Sequence, residues 1–163
     1  MRFGLHTGYW SAGPPPGMAD AVARADEAGF DSVWTAEAYG SDALTPLAWW
    51  GARTTRIRLA TGIAQMSART PTATAMAALT LDHLSGGRFV LGLGASGPQV
   101  VEGWYGQPYA KPLARTREYV AIVRDVLRRE APVTAPGPAY PLPLPDGVPG
   151  GTGQGKALRS TAH

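Results

Sequence analysis

Four short apolar runs divide the first 131 residues, and each gives way to turn-forming residues and then to a stretch with helical spacing. The runs are Arg2-Phe3-Gly4-Leu5-His6, Ser32-Val33-Trp34-Thr35, Ile57-Arg58-Leu59-Ala60 and Arg88-Phe89-Val90-Leu91. Each has the length of a strand. After the first, Pro14-Pro15-Pro16-Gly17 breaks the chain, Met18, Val22, Ala25 and Ala28 recur at helical spacing, and Gly29 stands where a helix ends. A second helix is predicted from about Leu44 to Thr54. A third begins at Thr70-Pro71, a capping residue followed by proline in the first turn, and ends at Ser85-Gly86-Gly87. Its residues Ala75, Met76, Leu79, Leu81 and Leu84 are apolar almost all round, which predicts burial between neighbours. A fourth helix opens at Lys111-Pro112 and runs to about Arg129, with Leu113, Val120, Val123 and Leu127 as its buried stripe.

Strands alternating with helices at this spacing predict an α/β fold with parallel strands and right-handed crossovers. Beyond Ala131 the pattern stops. Seven of the 15 prolines lie between Pro132 and Pro149, and glycine is dense from Gly147 to Gly155. Residues 1–131 therefore read as the folded unit, and residues 132–163 as a Pro/Gly-rich insertion, a loop or small hairpin, followed by a loose tail.

Composition narrows the class without naming a chemistry. With 163 residues, 44% apolar and 17% charged, the chain has enough apolar surface for one packed domain and too little charge for disorder. No apolar run approaches the ~20 residues of a membrane span. The first residues turn polar and glycine-rich at once, so no signal peptide is expected. The absence of cysteine excludes disulfides and thiolate metal sites and fits the cytoplasm. A net charge of +3 is spread over scattered arginines, so neither a nucleic-acid partner nor a membrane is expected.

One motif invites a specific chemistry. Gly92-Leu93-Gly94-Ala95-Ser96-Gly97 matches the G-x-G-x-x-G dinucleotide fingerprint and follows a strand. Its context argues against that reading. Pro98 follows directly, Gly103, Gly106 and Pro108 forbid the long helix a pyrophosphate site needs, and the motif lies in the fourth unit instead of the first. A tight turn built from small residues accounts for the glycines.

The wider segment Leu81-Asp82-His83-Leu84-Ser85-Gly86-Gly87-Arg88-Phe89-Val90-Leu91-Gly92-Leu93-Gly94 resembles the luciferase-like monooxygenase superfamily, with its Asp-x-x-Ser-x-Gly-Arg helix end and Gly-x-Gly strand end. The stretches Ala28–Trp34, Thr61-Gly62-Ile63, Arg69-Thr70-Pro71, Glu102–Gly106 and Arg115–Tyr119 look like the same family in the same order. The similarity is strongest to the branch that uses the deazaflavin coenzyme F420, with FMN as the alternative.

The resemblance implies a (β/α)8 barrel, which takes about 250 residues, so this chain is expected to be its N-terminal half. It also implies hydride transfer between the deazaflavin and a small organic substrate. Gly62 and Ile63 fall at the family's strand-three bulge behind the ring. Gly94, Ala95, Ser96 and Gly97 fall at the strand-four end, where small residues let the cofactor approach. Glu37, after the second strand, and His6, near the end of the first, are the candidate catalytic residues. The bland alternatives are a solvated loop acid and a structural histidine. Tyr9 and Trp10 are candidates for a substrate wall, whereas Trp49, Trp50 and Trp104 read as packing. A half barrel has two open edges and an uncovered face, so a homodimer or a complementary C-terminal half-barrel is the expected partner, and the chain alone is expected to be inactive.

Overall fold

The computed structural model describes residues 1–162. Its strands are β1 (Gly4–Gly8), β2 (Ser32–Thr35), β3 (Arg58–Thr61), β4 (Ala64–Gln65), β5 (Phe89–Val90) and β6 (Leu93–Gly94). Its helices are α1 (Met18–Glu27), α2 (Thr45–Gly51), α3 (Pro71–Ser85), α4 (Pro98–Gly103) and α5 (Pro112–Arg128). One parallel sheet has the order β1-β2-β3-β5, and β4 pairs with β6, also parallel. The third and fourth strands are thus each interrupted and resume two residues later. Strand order follows chain order with no reversal, as in the wall of a (β/α)8 barrel and unlike a doubly wound sheet.

Register assigns each strand residue to a face. Leu5, Val33, Leu59 and Phe89 align across the four strands. They pack with Val22 and Ala25 of α1 and Leu47 and Trp50 of α2, so this row faces the helices. His6, Trp34, Ala60 and Val90 form the next row and project to the opposite face, the side of the barrel axis.

Short loops are pinned by charged groups. Asp26, buried at the end of α1, accepts hydrogen bonds from the backbone N–H groups of Thr55, Arg56 and Ile57 at 2.8, 2.9 and 2.6 Å and from the Thr55 hydroxyl. Burial alone pushes its pKa up, but these bonds outweigh it and hold the carboxyl below the ordinary value. The residues that carried the family resemblance form a similar knot. Arg88 donates to the carbonyls of Ser85, Ile57, Thr54 and Gly51, Ser85 Oγ accepts from Arg88 N, and Asp82 Oδ1 accepts from Phe89 N.

The helix ends follow the predicted chemistry. Gly29 and Gly86 adopt φ of 82° and 68°, and the Thr70 hydroxyl accepts from Ala73 N. Several expectations need correction. α2 spans only Thr45–Gly51, and the stretch after the glycine motif forms a short helix, the six-residue α4. α3 is buried on one face only, through Thr74, Ala75, Ala78 and Leu81, leaving Met76 and Leu84 exposed. The buried stripe of α5 is Tyr119, Ile122, Val123 and Val126, with Leu113 and Leu127 in solvent. Tyr119 carries a polar tip, which hid it from an apolar count; its hydroxyl pairs with the buried Thr74. Burial pushes the Tyr119 phenol up to about 12. Among the tryptophans read as packing, Trp50 is buried but Trp49 and Trp104 are exposed.

Residues 132–162 lie partly against α5. Val133 joins its buried cluster with Ala135, Tyr140 and Leu142 beside it, Ala135 and Leu142 form an antiparallel bridge, and Val133 N donates to Leu158 O.

Candidate active-site rim

The C-terminal ends of the strands, where barrel enzymes assemble their chemistry, bring most of the predicted residues into two neighbouring clusters. The first centres on the interrupted strands. The Gly62-Ile63 peptide is cis, and the register beyond it pairs Gln65 with Gly94. Ile63 lies so close to Gly94 that a Cβ there would sit 2.7 Å from Ile63 Cδ1. A Cβ on Gly62 would sit 3.0 Å from the Trp34 ring, and one on Gly92 only 2.1 Å from the Thr61 carbonyl oxygen. Gly92 is therefore required by its approach to backbone, whereas at Gly62 and Gly94 a side chain, Trp34 or Ile63, would have to give way. Gly97 is not: its nearest neighbour is the flexible end of Gln99. Ala95 packs toward the α5 cluster, and Ser96 has φ 57°, with its carbonyl accepting from Tyr109.

Trp34 was not singled out in the sequence. Its ring reaches from Gly4 to Gly62, and its indole N–H donates to Ser32 Oγ at 2.8 Å. Its place in the His6 row was the available signal, since alternation puts both on the axis side. His6 itself is exposed, and its Nδ1 accepts from Gly8 N at 3.2 Å.

The second cluster surrounds Glu37, whose side chain is 3% exposed, so it is no solvated loop acid. Its Oε1 accepts from Arg69 Nη2 at 2.8 Å, and its Oε2 accepts from Arg69 Nη1 at 2.9 Å and Gln65 N at 2.7 Å. Its carbonyl accepts from Gln65 Nε2 at 2.9 Å. Hydrogen bonding to Glu37 holds the Arg69 guanidinium above its usual pKa despite partial burial. A recess of 280 Å³ opens over this pair, bounded by Tyr39, Asp42, Trp104 and Tyr105. Arg69 was quoted only as part of a motif; nothing local in the sequence marks it as the partner of an acid 32 residues away.

His6 and Glu37 do not meet, since each is bonded within its own cluster. Tyr9 is exposed, and the backbone N–H of Trp10 donates to Ser41 Oγ. An apolar cleft of 480 Å³ lies between α3 and residues 156–162, and another of 590 Å³ lies beside Trp10, Trp49 and Trp50; none of the candidate catalytic or cofactor residues lines either. Among the described residues there is no cluster of metal-ligating side chains, and no helix is long and apolar enough to cross a membrane.

Comparison with known proteins adds an independent line. The luciferase-like monooxygenase family model matches residues 2–159. A Mycobacterium tuberculosis protein, provisionally named a coenzyme F420-dependent oxidoreductase, is 66% identical over all 163 residues. The chain spans 46% of that relative's length. Among solved structures, the coenzyme F420-dependent tetrahydromethanopterin reductase of Methanopyrus kandleri superposes with a TM-score of 0.72 at 24% identity, covering 97% of this chain and 46% of that one. The oxygenating constituent of 3,6-diketocamphane monooxygenase from Pseudomonas putida, solved with FMN, superposes with a TM-score of 0.75 at 20% identity, covering 98% and 47%.

Proposed function

The chain belongs to the luciferase-like monooxygenase family, and on that premise we propose that it forms the N-terminal half of an F420-dependent oxidoreductase acting on a small organic substrate. The observation that carries this reading is the contact of Ile63 with Gly94 at the ends of two adjacent strands, with Trp34 against Gly62 beside it. The site is half-buried and presents apolar surface from Ile63 and the Trp34 ring, and so suits one face of a planar heterocycle. A bound deazaflavin would supply a carbon that accepts or returns a hydride. The protein's part is to orient and desolvate. In this reading Ile63 and Trp34 offer apolar surface, Gly62 and Gly94 keep side chains out of the way, and the Ala95–Gly97 turn offers small residues and backbone N–H groups. His6 stands on the axis side, where a substrate would approach.

F420 is favoured over FMN because the 66% identical relative carries the F420 name. FMN is the alternative and would turn the chemistry toward oxygen activation. Titrating the protein with F420 and with FMN, following ring absorbance and fluorescence, tests the reading. A perturbed F420 spectrum is expected, and silence from both rings would end it. We expect no turnover from the 163 residues alone, because four of eight strand ends supply only part of a cofactor site; turnover by this chain would overturn that.

A second reading rests on the partly exposed axis face and on β1 and β5, each of which pairs on one side only. It is a half-barrel that assembles with itself or with a complementary half. Sedimentation decides, with a strictly monomeric species counting against it.

A further inference from the structure

We propose that Glu37 and Arg69 act as a clamp that positions the ring-backing segment, and that Glu37 serves as a positioning residue instead of a proton carrier. This inference rests on the cofactor reading above. Both carboxylate oxygens of Glu37 are engaged, Oε1 by Arg69 and Oε2 by Arg69 and Gln65. A proton on either oxygen would sit against N–H groups that already donate to it. What the side chain does instead is grip both ends of one short segment. Gln65 is held at its N–H and at its side-chain amide, and Arg69 is held by a two-pronged contact at the start of α3.

The grip propagates in both directions. Gln65 is in register with Gly94 and lies two residues from Ile63, so fixing Gln65 N fixes the spacing of the Ile63–Gly94 contact. On the other side, the Arg69 carbonyl accepts from Tyr119 at 3.2 Å, tying the segment to α5. Arg69 also lies 3.7 Å from Asp42, whose Oδ1 accepts from Leu44 N and Thr45 N at the start of α2. One guanidinium therefore ties the loop after β2 to the loop after β4. Arginine is suited to this because its planar fork meets both carboxylate oxygens at once, which a lysine cannot do.

Three readouts test the clamp: hydrogen exchange at the Gln65 amide, ring affinity, and the pH dependence of that affinity. In Glu37→Gln, an amide nitrogen faces the Arg69 fork, so the Gln65 amide is expected to exchange about tenfold faster and the ring to bind about tenfold more weakly. Leu59→Ala is the control, since it lowers stability far from the clamp and leaves ring affinity of the folded protein unchanged. Where both proteins stay folded, the pH profile of ring affinity should run parallel in wild type and Glu37→Gln. Arg69→Lys should fall between wild type and Glu37→Gln, and it carries the same readouts if Glu37→Gln does not fold. Unchanged Gln65 exchange, or unchanged affinity, overturns the clamp. An inflection abolished by Glu37→Gln overturns the positioning role and makes Glu37 a proton carrier. If the wild type binds neither ring, the cofactor reading fails, and the exchange data alone decide whether the clamp exists.

Discussion

The two faces of the sheet are built from adjacent residues and behave as different materials. On the helix side, Leu5, Val33, Leu59 and Phe89 interlock with α1 and α2; Val33 and Leu59 are essentially removed from water. On the axis side, one residue along each strand, Ala60 is fully buried, Trp34 and Val90 are half-buried and His6 is exposed. The difference shows where stability and chemistry separate. The helix side carries the sheet's buried apolar cluster and holds it against α1 and α2, with Leu5 and Phe89 on the edge strands partly buried. The axis side carries the tryptophan, the histidine and the Ile63–Gly94 contact, and its packing is partial. A barrel enzyme can vary its axis-side rim because the outer layer already secures each strand.

The comparison is broken most directly at Leu59. Leu59→Ala removes a side chain that is 1% exposed and central to the helix-side cluster, so about 3 kcal/mol of stability should be lost. Urea unfolding with an unchanged slope measures it. A loss below about 1 kcal/mol would mean that the helix-side layer is not the one securing the sheet.

How much of this was readable in advance depends on which face a residue serves. Strand positions, helix caps and parallel topology followed from apolar runs, glycines and prolines, because local sterics and burial set them. The family motif was the most recognisable stretch. In the fold, Asp82, Ser85 and Arg88 use their side chains to tie a helix end to strand starts, so the strongest sequence signal marks a structural knot. The stripe of α5 was misassigned because Tyr119, a residue with a hydroxyl, is its most buried member. Glu37 was found but its partner was not: the Glu37–Arg69 contact spans 32 positions, and no periodicity encodes a pairing at that separation. Trp34 escaped notice because alternation says which face a residue occupies but not how far its ring reaches.

The next largest effect sharpens the helix-side half of the comparison through charge. Asp26→Asn keeps one acceptor but loses charge-assisted bonds to three successive backbone N–H groups, a loss of about 2 kcal/mol at neutral pH. The native carboxyl is held below its ordinary value of 3.8. Its contribution is therefore fully present above the unfolded pKa and is lost as pH falls through the native one. Wild type and Asp26→Asn should converge in melting temperature as pH drops below about 3.8. A gap that stays constant into acid would show that the carboxylate charge contributes nothing.

Gly94→Ala moves to the axis side and to a smaller stability effect. The added Cβ would press on Ile63 Cδ1 at 2.7 Å, and a side-chain shift can relieve it, so about 1 kcal/mol is expected. The functional effect should exceed the structural one, because the contact displaced is the proposed ring-backing surface. Ring titration at full folding is the measurement, with affinity falling about tenfold. If Gly94→Ala left affinity unchanged while Leu59→Ala lowered it, the division of labour between the faces would be reversed.

The smallest expected effect is at His6, and it separates the two faces most sharply. His6 aligns with Trp34 and lies one residue from Leu5, yet it is exposed, and its only side-chain bond among the described residues is to Gly8 N. A surface imidazole with one local hydrogen bond contributes little, so His6→Ala should change unfolding free energy by less than about 0.5 kcal/mol. If the axis face is where substrate meets the ring, the same substitution should change how a substrate competes for the bound ring while leaving ring affinity as it was. A loss of stability comparable to Leu59→Ala would mean that His6 is packed structure and that the axis side of this sheet is as closed as the helix side.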